Sequence, residues 1–275
     1  MSAPTPTETV HASKSSLRWA LSDVLTIARR NMLALVRIPT ALVFSVLQPI
    51  MFVLLFRYIF GAGAIRVNIP GGYVNYLIPG IIVQTTIFGA VGTAIGLAED
   101  LQRGLIERFR ALPMARMAVL AGRTVSDLGR NVLVLVIITL VGFAVGFRPH
   151  GGVANYVLAC LITLLFAYCL SWGFAYVGLA APNSEAAQAM TFPLIFPLTF
   201  ASGIFVQVSS MPGWLQPFAT YQPVSEVTKA VRYLMDGPNA LLPSAGNAVW
   251  VAIAWSVGLI ALLGPLATAK YKKVA

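Results

Sequence analysis

The stretch ANYVLACLITLLFAYCLSWGFAYVGLAA, residues 154–181, decides the fold class of this chain. It carries no charged side chain over a length greater than the roughly 20 residues that an α-helix needs to cross the hydrocarbon core of a bilayer. A helix that is apolar on every side does not suit the surface of a water-soluble domain. The stretch therefore predicts a membrane-spanning helix.

Five other stretches are long and apolar enough to be interpreted in the same way, although the third of the set has only 17 residues. The six expected spans are Thr40–Phe60, Tyr76–Ala98, Asn131–Phe147, Ala154–Ala181, Ala187–Val206 and Ala248–Ala267. Pro193 and Pro197 lie within the fifth span, where they are expected to kink the helix while neighbouring helices satisfy the freed carbonyl groups. The sequence predicts an all-α polytopic membrane protein with six transmembrane helices.

The composition agrees with this class. Hydrophobic residues make up 58% of the chain and charged residues 10%, whereas a soluble domain has roughly 25% charged residues. The net charge of +10 does not indicate nucleic-acid binding, because the basic residues lie between spans rather than on one face or tail. Cys160 and Cys169 are nine residues apart in one expected helix. That separation is roughly 13 Å along the axis, which is too far for a disulfide.

The distribution of Lys and Arg predicts the orientation. With a cytoplasmic N-terminus, the inside segments hold 14 basic residues and the outside segments hold 5, so the positive-inside rule places both termini in the cytoplasm. Residues 1–16 are polar, lack the apolar core of a signal peptide and are expected to be disordered. We interpret residues 17–38 as an amphipathic interface helix and residues 39–275 as one membrane domain.

The amphipathic pattern before the first span is basic on its polar side. Arg29, Arg30 and Arg37 lie on that side, where they suit anionic headgroups at the cytoplasmic interface. Ile27 and Leu33 break the pattern. The apolar arc consists of Leu21, Val24, Leu25, Ala28, Met32, Leu35 and Val36. Two interpretations stay open, a topology anchor alone or an interface helix that also touches a partner.

Residues 99–130 form a charged loop that is too long for a simple connector. Its first half predicts a two-faced helix that Pro113 should end just before itself. The apolar stripe is Leu101, Leu105, Phe109 and Leu112, and the charged face is Asp100, Arg103, Glu107 and Arg110. A short helix joined to spans at both ends suits the transmission of force from a soluble partner, and a solvated loop helix is the alternative.

The segment 207–247 is expected outside the cell as two short re-entrant helices that dip into the outer interface. Lys229 and Arg232 have Glu226 and Asp236 at helical spacings that allow pairing. The apolar stripe of this segment is Val224, Val227, Val231 and Leu234. These helices either guard a substrate exit or cap the bundle.

The sequence lacks energy-converting and catalytic motifs. There is no G-x-x-x-x-G-K-[ST] phosphate loop, no metal-ligand spacing around His11 or His150, and no nucleophilic triad. The interiors of the expected spans lack charged residues, which argues against an ion-coupled carrier. Their polar residues, Gln48, Gln84 and Gln188, more often join helices than bind a substrate. A separate soluble ATPase that docks on the loop helix is the economical source of energy.

The chain resembles a known family, the membrane subunits of type-2 ABC exporters, especially the daunorubicin-resistance-like permeases of actinobacteria. The resemblance covers nearly everything after residue 17, and it is the order of the fragments that makes it specific. The fragments are QPIMF at 48–52, GLIERFRALPM at 104–114, Gly122-Arg123 with Asp127, SGIF at 202–205, MPGWL at 211–215, and Pro223-Val224 with Arg232 and Gly237.

The resemblance implies a multi-pass protein of the bacterial inner membrane, surrounded by lipid, with no catalytic site, no metal and no cofactor of its own. It implies two copies of a separate ABC ATPase, which bind ATP and Mg, and a second membrane subunit, identical or homologous. No nucleic acid is implied. The helix from about Glu99 to Leu112 corresponds to the coupling helix that sits in a groove of the ATPase. The expected coupling residues are Arg103, Gly104, Glu107, Arg108, Arg110, Leu112 and Pro113.

The absence of a charged pocket in the spans favours an amphiphilic drug or lipid as substrate. The expected path residues are Gln48 and the aromatic row Phe192, Phe196 and Phe200, although such a row is more often helix packing. Because aromatic rows also suit sugar stacking, a polysaccharide or glycolipid exporter is the alternative within the family. From a different class, a membrane anchor or assembly protein that transports nothing is the other alternative.

Overall fold

The computed structural model describes residues 17–37, 39–60, 71–105, 118–238 and 246–274. Within these ranges the chain is helical or in turns and contains no β-strand. The helices are α1 (Leu17–Arg37), α2 (Pro39–Leu55, extended by a wider turn at Phe56–Phe60), α3 (Gly72–Gln102), α4 (Ala118–Ala144), α5 (Gly152–Ala180), α6 (Ser184–Phe200), α7 (Gln216–Tyr221), α8 (Pro223–Asp236) and α9 (Gly246–Val274). The all-α prediction is confirmed.

Four helices of the described chain are long and apolar enough to cross a membrane. These candidate spans are Gly72–Gln102, Leu120–Ala144, Gly152–Ala180 and Asn247–Val274, and Ser45–Ile59 is a shorter apolar helical stretch. The fifth expected span is 17 residues of helix and ends at Phe200 rather than Val206. The expectation of six spans is therefore confirmed for four helices, and the two shorter ones stay a prediction.

The loop predicted over residues 99–130 is shorter than expected, because both flanking helices extend into it. Helix α3 continues to Gln102, and α4 begins at Ala118 rather than Asn131. The sequence pattern placed the charged residues at the start of α4 in a loop. They are helical because glycines of α3 give their side chains space and backbone carbonyls to bind.

Helix α3 is the centre of the bundle, with α5, α4, α6 and α8 packed around it. Its close approach to α5 depends on Gly178, since a Cβ atom at that position would overlap the backbone of Ala94. Ala94 and its neighbour Ala90 on α3 are fully buried. Small residues at a helix crossing allow such backbone contact in membrane proteins.

We expect Gly178→Ala to lower the thermal unfolding midpoint by several degrees, because overpacking of a close contact costs about 1–3 kcal/mol. Gly173→Ala on the same helix is the matched control, since a Cβ atom there meets only the end of the Leu263 side chain. That control should be neutral or stabilising, because alanine favours a helix over glycine by roughly 1 kcal/mol. Differential scanning fluorimetry in detergent tests the pair, and equal midpoints for the two variants would contradict the packing argument.

Helix α1 packs along the first half of α4, and its buried side differs from the predicted arc. Ile27 and Ala28 are buried, whereas Leu25 is 55% exposed. Gly122 of α4 faces Ile27, and Gly129 faces Met32. Ile27, which lies off the predicted apolar arc, is therefore on the buried side of the helix, whereas Leu25 of that arc is exposed.

The segment after α6 contains the two short helices α7 and α8. All four residues of the predicted apolar stripe on α8 are buried, against α3, α5 and α9. Gly237 ends α8 with φ of 76°. Trp214, at the start of this segment, is 80% exposed.

Candidate functional site

A cavity of about 510 Å³ opens between α2, α3, α4 and α6. Its volume falls within the roughly 300–1,000 Å³ of small-molecule sites. The residues that line it are Ser45, Gln48, Pro49, Phe52, Gln84, Thr85, Phe88, Gly89, Val91, Gly92, Ile95, Arg130, Asn131, Val134, Gln188, Thr191, Phe192 and Ile195. The wall is mostly apolar, with amide and hydroxyl groups among the aromatic rings.

Two buried amide groups on this wall lack hydrogen-bond partners in the described protein. Gln84 of α3 is 2% exposed, and neither its Nε2 nor its Oε1 atom is bonded. Asn131 of α4 is also buried, and its Nδ2 atom is unpaired. Because nearly all buried polar groups in folded proteins find a partner, these exceptions mark the cavity as a place where a polar ligand group would be held.

Arg130 is the charged residue on the described cavity wall, and its charge is balanced nearby. Its Nη2 atom donates to the Gly89 carbonyl oxygen and lies 3.6 Å from Asp127 Oδ1. Asp127 Oδ2 accepts a hydrogen bond of 2.5 Å from the Thr93 hydroxyl. The cluster joins α3 to α4 below the cavity and leaves little net charge there.

An ion pair between α4 and α3 lies farther along α3. Arg123 Nη1 lies 3.5 Å from Asp100 Oδ2, and Arg123 Nη2 donates to the Gly92 carbonyl oxygen at 3.1 Å. A Cβ atom at Gly96 would overlap the Arg123 guanidinium. The two arginines of α4 thus lie along a glycine-lined face of α3.

Phenylalanine rings lead away from the cavity along α6. The ring centroids of Phe192 and Phe196 are 6.0 Å apart, and those of Phe196 and Phe200 are 5.5 Å apart. Phe205 continues the row at 5.6 Å from Phe200 and stacks on Phe56 of α2 at 4.3 Å. The three rings predicted from the sequence are about half exposed, so they are not simply packed inside the chain.

The structure places only some of the predicted path residues at the cavity. Gln48 and Phe192 line the cavity, whereas Phe196 and Phe200 lie beyond it along the aromatic row. Sequence reasoning treated Gln84 and Gln188 as residues that join helices, and it assigned Arg130 to a loop. The available signal was three glutamines in otherwise apolar spans, and they all line one cavity.

The predicted coupling helix is interrupted at its start. Helix α3 ends at Gln102, Arg103 caps it through its backbone N–H, and Gly104 adopts φ of +63°. Glycine takes this left-handed conformation without strain, so Gly104 turns the chain out of α3 rather than continuing one helix from Glu99 to Leu112. Arg103 forms an exposed ion pair with Glu99 at 3.8 Å.

The other predicted coupling residues lie outside the described residues. They are Glu107, Arg108, Arg110, Leu112 and Pro113. On α1, Arg29 and Arg30 are exposed, and Arg30 donates to Asn31 Oδ1 at 2.9 Å. The side chain of Arg37 is not among those described.

At the opposite end of α3, Arg232 of α8 fastens the chain that follows α6. Its guanidinium donates to the carbonyl oxygens of Tyr76 at 2.9 Å, Gly203 at 2.6 Å and Ile204 at 2.8 Å, and it lies 3.5 Å from the centroid of the Tyr76 ring. Gln222 Nε2 donates to the Ala201 carbonyl oxygen at 2.6 Å. These bonds explain why α6 ends early, because the chain after Phe200 binds α8 instead of extending the helix.

The expected pairing on α8 is confirmed for one of its two cations. Lys229 Nζ lies 2.8 Å from Glu226 Oε1. Arg232 binds backbone carbonyls, and Asp236 Oδ1 accepts a hydrogen bond from Asn75 Nδ2 at 3.1 Å. Burial raises the pKa of Asp236 to about 7, against the opposing effects of Arg232 and of the Asn75 hydrogen bond.

Comparison with known proteins identifies clear relatives. Residues 22–235 match the family model described as ABC-2 type transporter. The chain is 34% identical over 253 residues to the daunorubicin resistance ABC transporter permease protein DrrB1 of Streptomyces coeruleorubidus, a match that covers 92% of this chain and 87% of the relative.

More distant relatives match most of their lengths as well. A probable doxorubicin resistance ABC transporter permease protein, DrrC of Mycobacterium tuberculosis, is 25% identical over 87% of this chain and 86% of its own. The putative transport permease ycf38 of Cyanophora paradoxa is 23% identical over 82% of this chain and 78% of its own.

Proposed function

This chain belongs to the ABC-2 type transporter family, and from that premise we propose that it is the membrane-spanning permease subunit of an ATP-driven exporter. The substrate is an amphiphilic drug or lipid. A separate ABC ATPase, present in two copies, supplies the energy, and a second membrane subunit completes the path. The relatives named for daunorubicin and doxorubicin resistance support export of a drug-like amphiphile.

The cavity between α2, α3, α4 and α6 is the observation that carries this proposal. It is a mostly apolar site with convergent polar groups, built from candidate spans and from apolar helices that pack on them. Helix α3 lines it at Gln84 and runs on to Arg103, next to the segment expected to dock on the ATPase. A movement of that segment would therefore reach the cavity wall through one helix.

The proposed topology has six spans with both termini in the cytoplasm of a bacterial cell. Helices α2 and α6 are added to the four longer spans to make six, and α7 and α8 lie on the outer side of the membrane. Two features support this arrangement, the excess of basic residues in the inside segments and the exposed Trp214 and Tyr221 beside α7, which suit an interface.

An affinity pull-down from native membranes tests the proposal. The wild-type chain should recover a Walker-type ATPase detectable by mass spectrometry, and Glu107→Arg should lose it. The reversed charge would oppose the ATPase surface at the proposed coupling helix, and we expect the fold to persist. Substrate export should fall to the level of cells that lack the permease.

Glu185→Arg is the matched control, because Glu185 is an exposed acidic residue at the start of α6, on the same proposed side of the membrane. It should keep the ATPase. Recovery of the ATPase by both variants would move the docking site elsewhere, and unchanged export by Glu107→Arg at normal expression would refute the coupling assignment. If the intact wild-type chain recovers no ATPase under gentle conditions, a membrane anchor becomes the better explanation.

The exposed aromatic row favours one second candidate, a polysaccharide or glycolipid exporter of the same family. Rings that are about half exposed along α6 are available to stack on sugars. Substitution of Phe196 and Phe200 by leucine would separate the candidates. Export of a glycan would fall, whereas export of an apolar amphiphile would be retained.

A further inference from the structure

The unpaired amides of the cavity indicate what kind of ligand it binds. Gln84 presents both a donor and an acceptor without partners in the described protein, and Asn131 presents a donor. Both side chains line the cavity, and both are buried, with 2% of Gln84 and 5% of Asn131 exposed. Burying such groups unbonded costs free energy, so a ligand that bonds them gains more than one that does not.

The rest of the polar wall offers acceptors as well as donors. The hydroxyl groups of Thr85 and Thr191 donate to carbonyl oxygens of their own helices, at 2.7 Å each. The oxygen of the partly exposed Thr85 hydroxyl therefore remains able to accept a hydrogen bond from a ligand, whereas Thr191 is fully buried. A ligand head that both donates and accepts, such as one with hydroxyl and carbonyl groups, fits this wall.

The charge of the wall argues against an ionic head. Arg130 is already paired with Asp127, which does not itself line the cavity. Among the described lining residues there is no carboxylate to attract an amine. A cationic head would lose its hydration without gaining a counter-charge, which is unfavourable at a poorly solvated site.

The apolar part of the cavity wall can contact the apolar part of the ligand. Phe52, Phe88 and Phe192 line the same cavity, and Phe192 is partly exposed at its margin. A volume of about 510 Å³ suits a compact head with the adjoining part of an apolar body. The rest of a long chain can remain in the lipid beside α6.

We infer that this cavity binds the head of an uncharged amphiphile rich in hydroxyl and carbonyl oxygens, with Gln84 and Asn131 as the residues that recognise those oxygens. That this ligand is the transported substrate rests on the proposed function. It narrows the substrate class from amphiphiles in general to uncharged, oxygen-bearing ones.

Photolabelling of the full chain in lipid nanodiscs tests the inference. The probe is a monomyristoylglycerol that carries a diazirine in its acyl chain, and labelled peptides are mapped by mass spectrometry. Labels should lie on α2, α3, α4 or α6 at the cavity. Unlabelled monomyristoylglycerol should compete, and tetradecyltrimethylammonium, which has the same chain length and a cationic head, should compete at least roughly tenfold less well.

Gln84→Leu should reduce the labelling by roughly tenfold, because two hydrogen bonds to the head are lost. Its thermal midpoint should equal or exceed that of the wild type, because leucine removes an unpaired buried amide. Gln102→Leu, at the exposed end of the same helix, is the matched control and should label normally.

Three outcomes would overturn the inference: equal competition by the ammonium compound, labels that lie away from the cavity, or unchanged labelling of Gln84→Leu. A lowered midpoint for Gln84→Leu would also overturn it, because Gln84 would then be serving the fold. The assay contains neither ATPase nor ATP. Its failure is therefore separate from a failure of the exporter proposal, which the pull-down tests.

Discussion

Replacing Arg232 with methionine is expected to prevent the chain from accumulating in a folded form. The guanidinium is buried and bonds three backbone carbonyl oxygens, two of which, at Gly203 and Ile204, belong to chain that is not helical. Methionine has a similar length but no donor, so all three bonds are lost, although the Gly203 carbonyl keeps the hydrogen bond from the Tyr76 hydroxyl at 2.8 Å. Hydrogen bonds to a charged group contribute about 1.5–3 kcal/mol each, so losing three removes a large part of the roughly 5–15 kcal/mol that stabilises a typical domain.

Two further variants test whether the fold needs the hydrogen bonds of Arg232 or only a positive charge on α8. Arg232→Lys keeps the charge, but one ammonium group cannot reach three carbonyls in the directions that the planar guanidinium does. It should recover part of the folded yield. Lys229→Met removes the pair with the buried Glu226 and a hydrogen bond to the Thr220 carbonyl oxygen, and it should cost less than Arg232→Met because two bonds rather than three are lost at a less buried position.

Fluorescence-detected size-exclusion chromatography of tagged variants measures the folded yield, and a thermal midpoint completes the comparison. Wild-type yield and midpoint for Arg232→Met would show that the carbonyls find other partners. In that case Arg232 would not be what holds the chain after α6 in place.

The sequence predicted which segments are apolar helices because that information is local. Residues 154–181 have no charge for the whole length of a span, and α5 occupies Gly152–Ala180. The spacing of Phe192, Phe196 and Phe200 likewise predicted a row, and the rings do stack. Periodicity along one helix does not depend on what packs against it, so it can be read directly.

The start of α4 could not be predicted in this way. The sequence pattern assigned Arg123, Asp127 and Arg130 to a loop, because charged side chains are unfavourable in lipid. Their partners are Asp100, Thr93 and glycine carbonyls of α3, which lie between 23 and 41 residues earlier in the chain. Only tertiary packing brings these groups together, and no local pattern records it.

The cavity was beyond sequence reasoning for the same reason. Gln48, Gln84 and Gln188 were visible as polar residues in apolar spans, and each lies on a different helix. Whether such residues bond to one another or line a common space depends on the crossing of the helices. The local signal identified the residues and gave no sign of their convergence.

Asp127→Leu is expected to lower the thermal midpoint by on the order of 10 °C, because removing one member of a buried ion pair costs about 3–5 kcal/mol. The carboxylate is buried, pairs with Arg130 at 3.6 Å and accepts the Thr93 hydrogen bond at 2.5 Å. Leucine would leave Arg130 without its counter-charge and the Thr93 hydroxyl without its acceptor.

The double variant Asp127→Leu/Arg130→Leu makes this prediction specific. Replacing a whole buried pair with apolar residues is often neutral or stabilising, so the double variant should regain most of the lost midpoint. The exposed pair Glu99–Arg103 provides the control, and Glu99→Gln should change the midpoint little. A double-mutant cycle of Asp127→Leu with Thr93→Val then gives the coupling energy between Asp127 and its hydrogen-bond partner on α3.

Strong coupling between Asp127 and Thr93 would mean that their hydrogen bond fixes α4 to the part of α3 between the cavity and Arg103. A force applied beyond Arg103 would then move both helices and the cavity wall together, as the exporter proposal requires. Additive effects of the two single variants would contradict this. The link between α3 and α4 in this region would then have to rest on Arg123, which pairs with Asp100 and bonds the Gly92 carbonyl oxygen.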